Sequence, residues 1–300
     1  MSTTEIAVEV SVICLIVLPT MLHSSTRFDR NPRVGFAVWG SMCLMGWFSA
    51  VVVFLGVGLG NPRGPLLRSL VLFVQRLGDG HPLRGLGLSE VVGLSVAFDI
   101  SVLMLGGLVV TAIKVWHIRS QQRTVLDLVA ETPTSLEGVC LLKHSRPTAY
   151  FLPGDGGRVV LSTGAVDILS SVELEAVIAH EVGHRNGRHG SLLVPLQVLS
   201  SFVSFLPLAR YAPFVMRTYL EMEADDYSRT RVPPKALKTA LTKAVLFQPA
   251  PIGALNVADG VMARRIERLD TEPARTSRTV ALFGAVGVAS TVLCLLLTTR

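Results

Sequence analysis

The sequence predicts a mainly α integral membrane protein, with about four transmembrane helices and an α+β domain set between the third and the fourth. Three observations carry that prediction. Half of the 300 residues are hydrophobic and only 17% are charged, and the mean hydropathy is +0.51, a balance that suits a bilayer better than water. Apolar runs long enough to cross a hydrocarbon core recur along the chain. Between them lies His180-Glu181-Val182-Gly183-His184, inside a helical-looking run over residues 172–187.

The spans follow in order. Residues 6–22 are apolar apart from Glu9 and small polar residues, residues 34–60 carry no charge, and residues 91–113 are apolar except for Asp99. Residues 280–297 form a fourth uncharged run. The first run lacks a basic start and further spans follow it, so it reads as a retained anchor. Asp99 would cost about 2.5–3.5 kcal/mol if unpaired in the bilayer, so it predicts pairing with an Arg or polar group of another span. Residues 66–77 hold Arg68 and Arg76 on one helical side, the pattern of an interfacial helix. The Gly- and Pro-rich stretch 78–87 reads as loop.

The intervening domain begins with a small β unit. Strand-like segments cover residues 139–142, 148–152 and 158–162, with a turn at 153–157. A short helix is expected at 165–169, and Ser170 with Glu173 three residues on predicts a capping box that starts the next helix. The edge at 158–162 is expected to hold an extended peptide beside that helix by adding it as a strand. The resulting division is a membrane domain at 1–118, an α+β domain at 119–278 and a last transmembrane helix at 279–300.

The chemistry rests on spacing. Histidines four apart share one helical face, about 6 Å apart along the axis, so His180 and His184 can grip one metal ion. Glu181 beside them can take a proton from an attacking water. Zinc needs a third ligand. His189 is one candidate, but its offset from His184 turns it away if the helix continues; it can still act behind a ligand. Glu221 is the better candidate, because Asp225 four residues on shares its face and can orient a ligating His. Glu223 points about 200° away from Glu221. His189, Tyr227 and Arg231 are candidate donors to a developing oxyanion.

If His180, His184 and Glu221 share zinc, the apolar run 192–208 cannot cross the membrane once, because the ligands would fall on opposite sides. With Pro195 and Pro207 inside it, it predicts a helix packed at the membrane surface or against the spans. The net charge of +6 is explained by basic residues at membrane boundaries, and no basic run is interleaved with aromatics, so no direct nucleic-acid binding is expected. Cys14, Cys43 and Cys294 fall in spans, Cys140 stands alone, and no disulfide framework is predicted. Arg27, Arg30 and Arg33 after the first span, with Lys114, Arg119 and Arg123 after the third, favour an outside N-terminus and a cytoplasmic domain. Arg63, Arg68, Arg76 and Arg84 in the second loop argue the other way.

With these residues assembled, the chain resembles membrane zinc metallopeptidases of the BlaR/MecR type and, more distantly, the HtpX and CAAX-prenyl protease group. The resemblance runs over about residues 150–268. It is carried by Tyr150-Phe-Leu-Pro-Gly154, Val160-Leu-Ser-Thr-Gly164, Glu173-Leu-Glu-Ala-Val-Ile-Ala-His-Glu-Val-Gly-His184, Arg188-His189 and Glu221-Met-Glu-Ala-Asp225. It implies a zincin-like (gluzincin) metallopeptidase domain with one zinc per chain, held by His180, His184 and Glu221, and with Glu181 as base. The implied reaction is hydrolysis of peptide bonds in a cytosolic or membrane protein, with a BlaI-type winged-helix repressor as the preferred substrate. The alternatives are HtpX-like quality control of membrane proteins and a non-catalytic membrane signalling protein. In the BlaR/MecR family the last span often leads to a β-lactam-binding domain; the sequence stops at Arg300, so β-lactam sensing is not expected of these residues.

Overall fold

The computed structural model describes residues 2–60, 66–81, 85–131, 138–154, 157–247 and 255–272. The predicted span at 280–297 lies outside them. The first span joins α1 (Thr3–Val12) through a π-helical turn, Ile13–Val17, to α2 (Leu18–Leu22). α3 (Pro32–Gly58) returns, α4 (Leu66–Gly78) is a short amphipathic helix, and α5 (Leu88–Val129) is the third span. Thr3–Leu22, α3 and α5 are each long and apolar enough to cross a membrane, which makes this a multi-pass membrane protein. Asp99 faces outward on α5, and among the described residues no ion pair or hydrogen bond reaches it.

At 42 residues, α5 is about 63 Å long, twice the roughly 30 Å hydrocarbon core. It runs unbroken through residue 118, so the membrane helix itself enters the α+β region. There Leu126 is buried with Cys140, Leu152 and Val160.

The sheet contains β1 (Ala130–Glu131), β2 (Val139–Leu142), β3 (Ala149–Leu152) and β4 (Arg158–Ser162), in the order β1-β2-β4-β3. β2 and β4 are parallel, and the other two pairings are antiparallel. This corrects one expectation. Residues 158–162 are a central strand bonded on both sides, because the hairpin partner β3 lies outside β4; β3 is the edge strand on that side of the sheet.

After α6 (Thr163–Ile168), α7 (Ser171–Asn186) carries the H-E-x-x-H. Its start is the predicted capping box: Ser170 Oγ accepts from Glu173 N, and Glu173 Oε2 accepts from Ser170 N. Leu174, Val177, Ile178 and Val182 on one α7 face pack on Val139, Val159 and Leu161 of the sheet. The run 192–208 folds as α8 (His189–Leu192), α9 (Val194–Phe202) and the entry to α10 (Pro207–Arg229). They pack against a span, as expected: Leu196, Leu199, Leu208 and Ala212 share a core with Trp39 and Met42 of α3. α11 (Pro234–Phe247) and α12 (Leu255–Leu269) close the described chain, with Leu237 and Leu269 against Ala176.

α7 and α10 approach closely at Gly183, where an added Cβ would lie 3.0 Å from Ala224 Cα and 3.1 Å from Tyr227 Cβ. Backbone cannot yield there as a flexible side chain could, so Gly183→Val must separate the two helices. The expected result is destabilisation of about 1–3 kcal/mol, measured by thermal melting, together with weaker zinc retention in chelator competition.

Candidate metal centre

The centre is built by two helices. α7 places His180 and His184 one turn apart, and α10, held against α7 at Gly183, brings Glu221 from 37 positions beyond His184. Ligand atoms of His180, His184 and Glu221 all lie within 4.8 Å of one another. The two Nε2 atoms are 3.1 Å apart, and Glu221 carboxylate oxygens lie 3.5 Å from His180 Nε2 and 3.6 Å from His184 Nε2. A tetrahedral ion at zinc–ligand distances of about 2.0–2.1 Å separates its ligand atoms by about 3.3–3.4 Å. The three side chains therefore fit zinc in both donor type and spacing. Glu181 lines the adjacent cavity, of about 290 Å³, together with His180 and Glu221.

A second layer of charge holds the first. His180 Nδ1 lies 2.9 Å from Asp225 Oδ1, and Asp225 accepts two hydrogen bonds from Arg265, at 2.9 Å and 2.8 Å. Arg265 also lies 3.1 Å from Glu221. His180, Asp225 and Arg265 are all buried. Burial alone would raise the Asp225 carboxyl, but the Arg265 guanidinium and His180 outweigh it and hold it at about 2. Burial likewise opposes a charged His180, yet hydrogen bonding to Asp225 and Glu221 raises it to about 9 in the metal-free protein. Glu221 is held well below the usual carboxylate range, its burial offset by the two histidines and Arg265.

The other predicted residues separate clearly. α7 ends at Asn186 with Gly187 as its C-cap, and Arg188 adopts a left-handed backbone, φ 52°, so the helix does not continue to His189. The chain turns back, and His189 Nδ1 sits 2.8 Å from His184 Nδ1, behind that ligand and away from the cavity. Glu223 faces His189 and Arg33 rather than the ligand cluster. The Arg231 guanidinium lies over the Tyr227 ring, and neither residue lines the cavity. Sequence signals did not single out Arg265, and they placed Arg33 only as a basic residue beside a span. Both act across long sequence separations, and nothing in their local patterns distinguishes them from solvated arginines.

The model of Peptidase family M48 matches residues 117–217. That segment, about a third of the chain, is similar to this family. It contains the H-E-x-x-H helix and ends four residues before Glu221. M48 peptidases depend on zinc, and the His180, His184 and Glu221 cluster fits that ion. A curated relative, the Protease HtpX homolog of Leuconostoc citreum (strain KM20), is 26% identical over 192 residues, covering 62% of this chain. The match spans 57% of the relative's own length. No solved structure matches. The relative belongs to the HtpX side of the resemblance, which the sequence reading had placed second to the BlaR/MecR type.

Because a ligand imidazole must shed its proton, metal binding to the free site is linked to pH. With His180 raised to about 9, its proton must leave before zinc binds below that pH. Affinity should therefore fall about tenfold for each pH unit below about 9. Asp225→Asn should weaken this dependence along with the affinity itself. Zinc titrations of the metal-free protein in a pH series, read by competing chelators, check both outcomes.

Proposed function

We propose that this protein is a membrane-embedded zinc metalloendopeptidase of the HtpX kind, hydrolysing peptide bonds in a protein substrate. The observation that carries this reading is the convergence of His180, His184 and Glu221 within 4.8 Å at the wall of a cavity that Glu181 also lines. His180, His184 and Glu221 are the metal ligands in this reading, Glu181 is the base, and Asp225 orients His180. Zinc, when bound, supplies the Lewis acidity that polarises a scissile carbonyl and acidifies an attacking water. Glu181 accepts that water's proton and passes it to the leaving amine. Asp225, locked by Arg265, fixes the His180 ring with Nδ1 protonated and Nε2 free to ligate.

The substrate lies extended along β3. Thr148 and Ala149 line the cavity, and one side of β3 is paired to β4 while no described strand pairs with the other. Backbone bonds to that edge tolerate varied side chains. Ile168, Leu169, Val177, Leu237, Leu241 and Met262 give the cavity an apolar wall, which suits a hydrophobic substrate side chain. The HtpX relative and the burial of α10 against the span α3 favour a membrane-associated substrate over a BlaI-type soluble repressor. The division at residues 1–118, 119–278 and 279–300 stands as part of this proposal, with α5 bridging the first boundary.

The catalytic side faces the cytoplasm in this reading. The loop after the first span lies on the same side as α12, since Asp29 accepts from Arg264, and the far end of α5 joins the same domain, since Arg119 donates to Gly190 O. Arg27, Arg30 and Arg33 share that side with Lys114, Arg119 and Arg123, a positive-inside distribution.

Glu181→Gln should retain zinc and abolish proteolysis, whereas Glu221→Ala should lose zinc and activity together. Metal analysis and digestion of an unfolded membrane-protein substrate in detergent separate the two; loss of zinc from Glu181→Gln would refute the assigned base. In a cysteine-free background, Gln75→Cys should react with an impermeant thiol reagent on intact cells and Ser145→Cys should not. The reverse pattern would turn the active site outward.

A further inference from the structure

Both histidines of the centre present Nε2 to the ligand cluster, since these are the atoms that lie 3.1 Å apart and near Glu221. Each Nε2 must keep its lone pair for a metal, so each Nδ1 must carry the proton and donate it outward. His180 Nδ1 lies 2.9 Å from Asp225 Oδ1, and Asp225 in turn accepts from Arg265. Among the described residues, His184 has no carboxylate at its Nδ1. Its neighbour is His189 Nδ1, at 2.8 Å.

That contact sets every proton beyond it. If His184 donates, His189 Nδ1 accepts, and the neutral His189 ring carries its proton on Nε2. His189 is 2% exposed, and its Nε2 has no closer hydrogen-bond acceptor among the described residues. The group it faces is Glu223 Oε2, at 3.5 Å. The other Glu223 oxygen accepts from Arg33 Nε at 2.6 Å. Arg33 is the second residue of α3, the second membrane span.

The backbone is shaped for the same end. Arg188 is the one non-glycine residue with positive φ among those described, and that turn swings His189 back under His184. A Cβ at Gly187 would lie 2.0 Å from His189 Nε2, so only glycine leaves room for the ring. Strained backbone that persists at such a place marks a position the surroundings over-determine.

We propose that His189 and Glu223, anchored by Arg33 at the entry of the second span, position the His184 imidazole, so that the membrane region completes the metal centre. This rests on the metallopeptidase reading of the same site. His189, Glu223 and Arg33 are positioning residues: none lines the cavity, and each acts through the next. The two ligating imidazoles thus end on arginines of different origin, His180 on Arg265 of α12 and His184 on Arg33 of the span.

The test uses the full-length protein in detergent micelles, with zinc affinity measured by chelator competition and ligand geometry by the visible absorption of the cobalt-substituted protein. His189→Ala should lower zinc affinity about 10–100-fold, the range usual for groups that orient a ligating His, and should shift the cobalt bands. His189→Asn, whose side-chain oxygen can accept from His184 Nδ1, should recover part of both. Glu223→Gln and Arg33→Gln should show the same spectral shift with smaller losses, while Lys238→Gln, an ion pair remote from the centre, should change nothing. These two variants alter half-exposed or partly exposed side chains, so they remain informative if His189→Ala misfolds. Wild-type affinity and spectrum in Glu223→Gln and Arg33→Gln would overturn the link to the membrane. His184→Ala separates the two levels: if it keeps zinc, the metal-centre reading itself fails; if it loses zinc while His189→Ala and Glu223→Gln do not, only the positioning proposal fails.

Discussion

The structure turns on one electrostatic constraint: two imidazole nitrogens and a carboxylate must be held around a common point, mostly out of water, before any ion is there. Left alone, buried groups of this kind would change protonation or swing apart, because desolvation penalises charge. The fold resists both outcomes with the buried Arg265, which bonds Asp225 twice and also approaches Glu221. Buried positive charge balances buried negative charge, and each ligand is left with one orientation. Removing one member of such a network leaves an uncompensated charge behind, which is why these residues act as a unit.

The membrane region belongs to the same construction. α10, which supplies Glu221 and Asp225, buries its first half against α3 through Trp39, Met42, Met216 and Tyr219. Asp29, in the loop between the first two spans, receives Arg264 and Arg268 from α12, the helix that carries Arg265. The helices that set the centre are therefore clamped to spans rather than attached by a linker. A long α5 running from the bilayer into the sheet core at Leu126 makes the same connection from another direction. In the proposed reading, this clamp holds the cleft beside the spans.

How much of this was legible depended on the range of the interaction. Hydropathy identified three spans that the structure contains, and strand signals located β2, β3 and β4 to within a residue but missed the two-residue β1. The Ser170–Glu173 capping box formed as read, because capping depends on residues three apart. The exchange of edge strand, from 158–162 to β3, was not legible. A hairpin motif gives the pairing of two strands but not which side of the second is left free; that is decided by the parallel pairing of β2 with β4, across 15 or more residues.

By itself, the sequence determined the local chemistry: His180, Glu181 and His184 share a helix face because of helical pitch, and Glu221 and Asp225 share another for the same reason. Only the tertiary structure decided that these two faces meet, through the close approach at Gly183, and that His189 turns behind His184 instead of away from it. The left-handed Arg188 and the absent side chain at Gly187 produce that turn, and neither has a periodic signature. Arg265 and Arg33 could be recognised only in three dimensions. A charge's role depends on what burial removes from around it and what it finally faces, and for both arginines the carboxylate they face lies 40 or more positions away.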